Sequence, residues 1–242
     1  MIAVLSQKGP MKTESEDLVL AGHCVLCDDE CCISVPGQGF ICVADGVGGV
    51  AGGKKAARFL VDMLVQTEQL PQTEDELKTY LKLLNDRLIA DASGTPETNM
   101  AATLTGILLT DRFTALFHAG NTRAFLMQGN YLRQLTDDHT LKQRLLQMGL
   151  TEKASQVDPS ELIGCFGGGN ISFISALTVF PLPEFQTLLL TSDGIHDYLS
   201  ADQMEEVLLS DLPDREKCRL LLETARQNGS TDDASILILR KQ

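Results

Sequence analysis

TLTGILLTDRFTALFHAGNTRAFLMQGNYLRQL, residues 103–135, decides which kind of fold this chain can adopt. Four apolar runs, at about 103–110, 113–119, 122–128 and 131–135, are separated only by Thr110-Asp111-Arg112, Gly120-Asn121 and Gly129-Asn130. Connections that short, built from Gly, Asn and Asp, join antiparallel neighbours, whereas parallel strands need a crossover of a dozen or more residues. The stretch predicts an antiparallel meander with Gly120-Asn121 as one of its hairpin connections.

Outward from the meander, further strand-like runs fall at about 17–27, 39–44, 171–180, 186–192 and 235–240. Helical periodicity occupies the gaps. From Gly53 to about Glu68, Ala56, Phe59, Leu60, Met63 and Leu64 share a face. From Thr73 to Ala92, Leu77, Leu81, Leu84 and Leu88 do so behind a Thr-Glu-Asp-Glu cap. Two more helices, at roughly 201–209 and 214–227, begin near Asp202 and Asp214. Two helical pairs and about nine antiparallel strands predict a layered α+β fold. No repeat, linker or boundary interrupts it, so residues 1–242 read as one domain.

The 242 residues are 43% hydrophobic, enough for a sizeable core. A formal net charge of -13 with scattered lysines and arginines argues against nucleic acid or an anionic membrane as partner. Neither a spanning segment nor a secretion signal is legible, so the expected location is cytoplasmic. Seven cysteines, an odd number, fit reduced thiols. His23, Cys24, Cys27, Cys31 and Cys32 could be offered as a zinc site, but in a strand Cys24 and Cys27 point to opposite faces, which favours free thiols.

FICVADGVGGVAGGKKAA (40–57) ends an apolar run on Asp45 and then places Gly46, Gly48, Gly49, Gly52 and Gly53 within eight residues. Two phosphate-loop spacings nearly fit: Gly46-x-Gly48-x-x-Ala51, and Gly48 through Lys54. A nucleotide loop of the second kind needs Ser or Thr after the lysine, and position 55 is Lys; in the first, a carboxylate beside the leading glycine repels pyrophosphate. Asp45 argues for a cation. Asp193 after TLLLTS, Asp232 before ASILILR, and Glu16 with Asp17 before the first strand also stand at strand ends. Carboxylates from several strand ends, with backbone carbonyls and waters, make the oxygen set of a hard divalent ion. Asp-Gly is also a common turn dipeptide, so any one of these taken singly reads better as a solvated turn, and it is their combination that points to a cation.

The quoted residues carry a resemblance. KTESED (12–17) is similar to R-x-x-N-E-D, VADGVGG (43–49) to A-D-G-x-G-G and HAGNTRAFL (118–126) to G-D-S-R-A-Y. QLTDDHT (134–140) is similar to Q-L-T-x-D-H-S, LTSDGIHDYLS (190–200) to S-D-G-L-x-D and GSTDDAS (229–235) to G-S-x-D-N-x-T. In this order, over nearly the whole chain, they resemble the metal-dependent protein phosphatases of the PPM family, the protein phosphatase 2C type, in a bacterial-like form.

The resemblance implies a four-layer α-β-β-α sandwich: two central antiparallel sheets flanked by helix pairs. It implies two Mn2+ or Mg2+ ions per chain, with Asp45 bridging them, Asp193 and Asp232 completing one, the Gly46 carbonyl on the other, and Glu16 and Asp17 acting through water. The implied reaction is hydrolysis of phosphoserine or phosphothreonine in a protein, the target of a Ser/Thr kinase, by metal-activated water. Lys12 stands at a phosphate-binding arginine, a substitution that keeps charge but loses the planar two-pronged contact. Val47 stands where many eukaryotic members have histidine, and Asn121 at an aspartate linked to a weaker third metal, so that position is expected to be weakened. His139 and His196 read better as packing or capping residues than as catalytic ones. Residues 141–170 correspond to a short variable flap. Two other readings remain: a catalytically weak member serving as a binding module, and a hydrolase of small phosphoesters.

Overall fold

The computed structural model describes residues 1–47, 52–94, 99–168 and 173–241. Along the chain come β1 (Ile2–Gln7), β2 (Leu18–Ala21), β3 (Cys24–Leu26), β4 (Asp29–Ile33), β5 (Gly39–Ala44), α1 (Gly53–Val65) and α2 (Glu74–Ala92). Next are β6 (Ala101–Ala102), β7 (Leu104–Leu109), β8 (Thr114–Ala119), β9 (Arg123–Gln128), β10 (Tyr131–Gln134), α3 (Leu141–Gln147), α4 (Thr151–Ala154) and β11 (Phe166–Gly167). The chain ends with β12 (Thr178–Pro181), β13 (Thr187–Thr191), α5 (Asp193–His196), α6 (Ala201–Leu209), α7 (Asp214–Gln227) and β14 (Ala234–Arg240).

Two six-stranded antiparallel sheets result, one in the order β10-β9-β13-β14-β1-β4 and the other β12-β8-β7-β5-β2-β3. Period-two alternation builds the layers. On β5, Ile41 and Val43 face the other sheet while Phe40, Cys42 and Ala44 face α1 and α2; on β14, Leu237 and Leu239 point between the sheets while Ile236 and Ile238 meet α6 and α7. Three apolar interiors thus separate four layers, as expected of an α-β-β-α sandwich. Fully buried Leu60 of α1 belongs to the first of them, and truncating it to alanine should cost about 2–5 kcal/mol. Among the described residues no helix is long and apolar enough to cross a membrane.

The decisive stretch is antiparallel, but it is not a meander. β7 pairs with β8, and β9 with β10, yet β8 takes β12 as its other neighbour while β9 takes β13 in the opposite sheet. Residues 120–122 are therefore a crossing between sheets, not a hairpin. Gly120 has φ 126°, and a β-carbon there would strike the Thr103 side chain, so the crossing needs glycine.

Other differences have equally local causes. β1 is a central strand that sequence patterning passed over; Ile2, Ala3, Val4 and Leu5 are all buried, because Ile2 and Val4 enter one interior and Ala3 and Leu5 another. The single run at 17–27 splits into β2 and β3 at Gly22, φ 65°. β4 was not expected, and the run at 171–180 contributes a strand only from Thr178, after a 3-10 turn at Phe173–Ala176. Residues 171 and 172, like Gly48, Gly49 and Ala51, lie outside the described residues. The helices at 53–65, 74–92, 201–209 and 214–227 agree with expectation within a few residues, and Thr73 caps α2 by accepting from the Glu76 N–H at 3.2 Å.

Candidate metal centre

β5 ends on Ala44 and delivers Asp45 into a cleft of about 170 Å³. The strand end is pinned: the Asp45 carbonyl accepts from Thr103 N–H at 2.8 Å, and Gly46 N–H donates to the Glu16 carbonyl at 3.2 Å. A β-carbon on Gly46 would lie 2.5 Å from the Gly53 backbone, and one on Gly53 would lie 2.9 Å from the Val47 carbonyl oxygen. These two glycines let the strand end and the start of α1 touch, and Gly52, φ 96°, turns the chain into the helix.

Asp193 follows β13 and opens α5. Asp232 precedes β14, and the loop at residues 8–17 carries Lys12, Glu16 and Asp17. The cleft is lined by Lys12, Asp45, Gly46, Val47, Asn121, Asp193 and Asp232, with Thr103 and, from the 141–170 segment, Ser160 and Leu162. Asp17 is buried beside it, where Ser192 Oγ donates to its Oδ2 at 2.8 Å. All eight predicted site residues therefore meet at one end of the sandwich.

Their electrostatics are dominated by buried, mutually repelling carboxyl groups. Burial raises the Asp45 carboxyl well above the ordinary range, with Asp17 and Asp193 adding to the shift. Burial pushes Asp17 to about 7 against the opposing Ser192 hydrogen bond, and pushes Asp193 to about 6 with the help of Asp232. Asp17 Oδ1 is buried with no hydrogen-bond partner among the described residues. An orphaned carboxylate oxygen among mutually repelling carboxylates fits a hard cation.

Lys12 is the cation the chain itself supplies. Its Nζ lies 2.6 Å from Asp232 Oδ1, 3.0 Å from Asp233 Oδ2 and 3.5 Å from Glu16 Oε2. Burial works to lower its pKa, but Asp232 and Asp233 outweigh burial and hold it above the usual lysine range. Asn121 Nδ2 likewise donates to Asp193 Oδ2 at 3.0 Å, so the hairpin role expected of Asn121 gives way to a contact with the site. Among the described residues no three His, Cys, Asp or Glu side chains are already drawn to one point. Asp232 and Asp193 line the cleft and are engaged there by Lys12 and Asn121.

Three of the four histidines make contacts of their own, although His196 Nε2 is buried with no partner among the described residues. His118 Nδ1 meets Thr105 Oγ1 at 2.7 Å and its ring packs against that of His139 at 4.5 Å with a 45° tilt; His139 Nδ1 accepts from Gly120 N–H; His196 Nδ1 meets Thr191 Oγ1 at 2.8 Å. The seven cysteines are free. Sequence reasoning missed Asp233, hidden beside Asp232, and the pair Arg123–Asp138, whose bonds of 2.8 and 2.6 Å tie two motifs together just outside the cleft.

Residues 24–218 match the family model described as protein phosphatase 2C. The chain is 30% identical over 215 residues to the serine/threonine phosphatase stp of Listeria monocytogenes, covering 84% of this chain and 85% of that protein. It is 26% identical over 253 aligned positions to the protein phosphatase PhpP of Streptococcus pneumoniae, covering 98% and 96%. Among solved structures, a serine/threonine phosphatase from Staphylococcus aureus superposes with a TM-score of 0.81 at 21% identity, covering 100% of this chain and 94% of that one. The phosphatase PstP/Ppp of Mycobacterium tuberculosis gives 0.76 at 26%, covering 98% and 97%. With its motifs in order, its sandwich and its acidic cleft, the chain belongs to the protein phosphatase 2C family.

Proposed function

We propose that this chain is a metal-dependent serine/threonine protein phosphatase whose chemistry centres on Asp45, Asp193 and Asp232. The observation that carries the reading is the cleft itself: carboxylates from separate strand ends face one space and, among the described residues, a buried Asp17 oxygen is unpartnered and Lys12 is the one cationic side chain in the lining. A dianionic phosphate cannot enter so acidic a cleft unless the carboxylates are first neutralised by cations.

Asp45, the Gly46 carbonyl, Asp193 and Asp232 would hold two Mn2+ or Mg2+ ions, with Glu16 and Asp17 reaching them through water; the catalytic domain of PstP has been solved with two manganese ions. When bound, the ions supply an activated water and local positive charge. Lys12 would bind the phosphate as a point charge once Asp232 has turned from it. Val47 brings no proton donor to the leaving group, so no side chain at that position protonates it. Asn121 keeps Asp193 in place, leaving a third cation site weak. Residues 141–170 would form the flap that meets the protein substrate, a role supported by Ser160 and Leu162 in the cleft wall. The substrate is a protein phosphorylated by a Ser/Thr kinase.

The test is manganese-dependent release of phosphate from a phosphothreonine peptide. Activity that survives chelator would refute the metal reading, and a strong preference for small phosphoesters would replace the substrate class.

A further inference from the structure

The loop at 8–17 and the loop at 230–233 supply one wall of the cleft, and a single carboxylate joins them. Asp233 is 2% exposed. Its Oδ1 accepts from Gly9 N–H at 2.8 Å, and its Oδ2 accepts from Glu16 N–H at 2.8 Å and from Lys12 Nζ at 3.0 Å. Around this hub the two loops press together. A β-carbon on Gly9 would strike the Thr231 carbonyl oxygen, and Arg226 donates from Nη1 to the Asp232 carbonyl at 2.7 Å and from Nη2 to the Lys8 carbonyl at 3.1 Å.

A buried carboxylate beside a cleft already crowded with them is unfavourable unless its charge is used. The two backbone N–H groups need only acceptor oxygens; the ammonium is the partner that needs the charge. A guanidinium can fix itself through a planar fork, but an ammonium on a four-carbon stem has no preferred plane and is placed by whatever anion is rigid beside it. Asp232, its other close partner, is solvent-facing at the cleft and is one of the carboxylates assigned above to cation binding. Asp233 is buried and held by three donors, and it is not among the residues that line the cleft.

Resting on the reading that Lys12 binds phosphate, we propose that Asp233 is the positioning residue for Lys12, holding the ammonium at the cleft edge when Asp232 turns away. The second aspartate of GSTDDAS and the lysine of KTESED then form a matched pair, where the similar family patterns carry Asn and Arg.

The experiment is a double-mutant cycle of Asp233→Asn and Lys12→Met on the manganese-loaded protein. Binding of inorganic phosphate is measured by calorimetry and KM and kcat on a phosphothreonine peptide, with melting curves as a fold control. Asp233→Asn should weaken phosphate binding and raise KM about tenfold when Lys12 is present, the scale of one charge-assisted hydrogen bond. In the Lys12→Met background the same change should have less than about twofold effect. Equal effects in both backgrounds, or none in either, would overturn the proposal, because a carboxylate that only fastens backbone acts regardless of Lys12. Wild-type protein that binds phosphate through Lys12 but hydrolyses no phosphopeptide would refute the functional reading alone. If Asp233→Asn does not fold, the wild type decides: its Lys12 ammonium should give a slowly exchanging signal in proton–nitrogen NMR spectra, and a freely exchanging ammonium would overturn the inference.

Discussion

Asp45 and Asp138 are both aspartates just beyond a strand of the sandwich, yet they sit in opposite electrostatic situations. Asp138 faces Arg123, which donates to both of its oxygens, and Arg123 also lies 3.7 Å from Asp197. Asp45 faces Asp17, Asp193 and Asp232, and its carboxyl is driven toward the neutral form. One region is neutralised by the chain itself; the other is left with charge for something outside the chain to neutralise. The difference separates a structural ion pair from a site.

The largest expected effect breaks the comparison at the rim. Asp45→Asn and Asp193→Asn should each lower phosphatase activity by at least about two orders of magnitude, as metal activation of water is lost. In metal-free protein near pH 7.5, Asp193→Asn should raise the melting temperature, since it removes one of several mutually repelling charges. A rim variant that retains activity, measured as initial phosphate release in manganese, would show that the anions do not hold the catalytic ions.

Arg123→Met should do the reverse. It leaves Asp138 partly buried without its partner and should lower stability by about 2–3 kcal/mol in urea unfolding, somewhat less than for a fully buried pair because Arg123 keeps some solvent contact. Equal stability of variant and parent would remove the distinction between the two regions.

The pH dependence sharpens it. Asp17 at about 7 and Asp193 at about 6 compare with roughly 4 in the unfolded chain. Between about pH 4 and 7 the folded state therefore binds more protons, and the contribution of these groups to metal-free stability falls as pH rises. His118, held down to about 3 by burial and by His139, and His139 and His196, also held low by burial, act oppositely. Their contribution is present above the unfolded pKa of about 6.5 and lost as pH falls. Comparing melting temperatures with and without manganese at each pH isolates the carboxylates. The manganese-induced rise should be greatest near pH 7.5 and shrink toward about pH 5, as protons compete with the ion. A rise independent of pH would contradict this account of the rim.

The smallest effect belongs to Asn121→Asp. It exchanges an amide that donates to Asp193 for another carboxylate, so manganese affinity should increase a few-fold while the metal-free melting temperature drops by a few degrees. Turnover should rise at limiting manganese and change little at saturation. An unchanged titration would mean that the amide contact has no bearing on cation binding.

Much of this was legible along the chain. The helix spans followed from apolar periodicity and from caps such as Thr73, and the rim residues Asp45, Asp193 and Asp232 followed from carboxylates at the ends of buried runs. What escaped had one kind of cause. Gly120-Asn121 has the chemistry of a hairpin, but whether β8 and β9 pair depends on β12 and β13, supplied from beyond residue 170. Asp232 and Asp233 look alike as neighbours, and only the placement of the loop at 8–17 brings both to Lys12 while leaving one exposed at the cleft and burying the other on the Gly9 and Glu16 backbone.

By itself, the sequence determined that this protein is antiparallel, layered, helix-covered and acidic at its strand ends, because alternation, capping and turn chemistry act over a few residues. Tertiary structure alone decided that the meander divides between two sheets, that Asn121 crosses between them to reach Asp193, and which carboxylates are compensated. Strand partnership and electrostatic compensation depend on distance in space, and the chain separations involved, 72 residues from Asn121 to Asp193 and 224 from Gly9 to Asp233, leave no periodic trace.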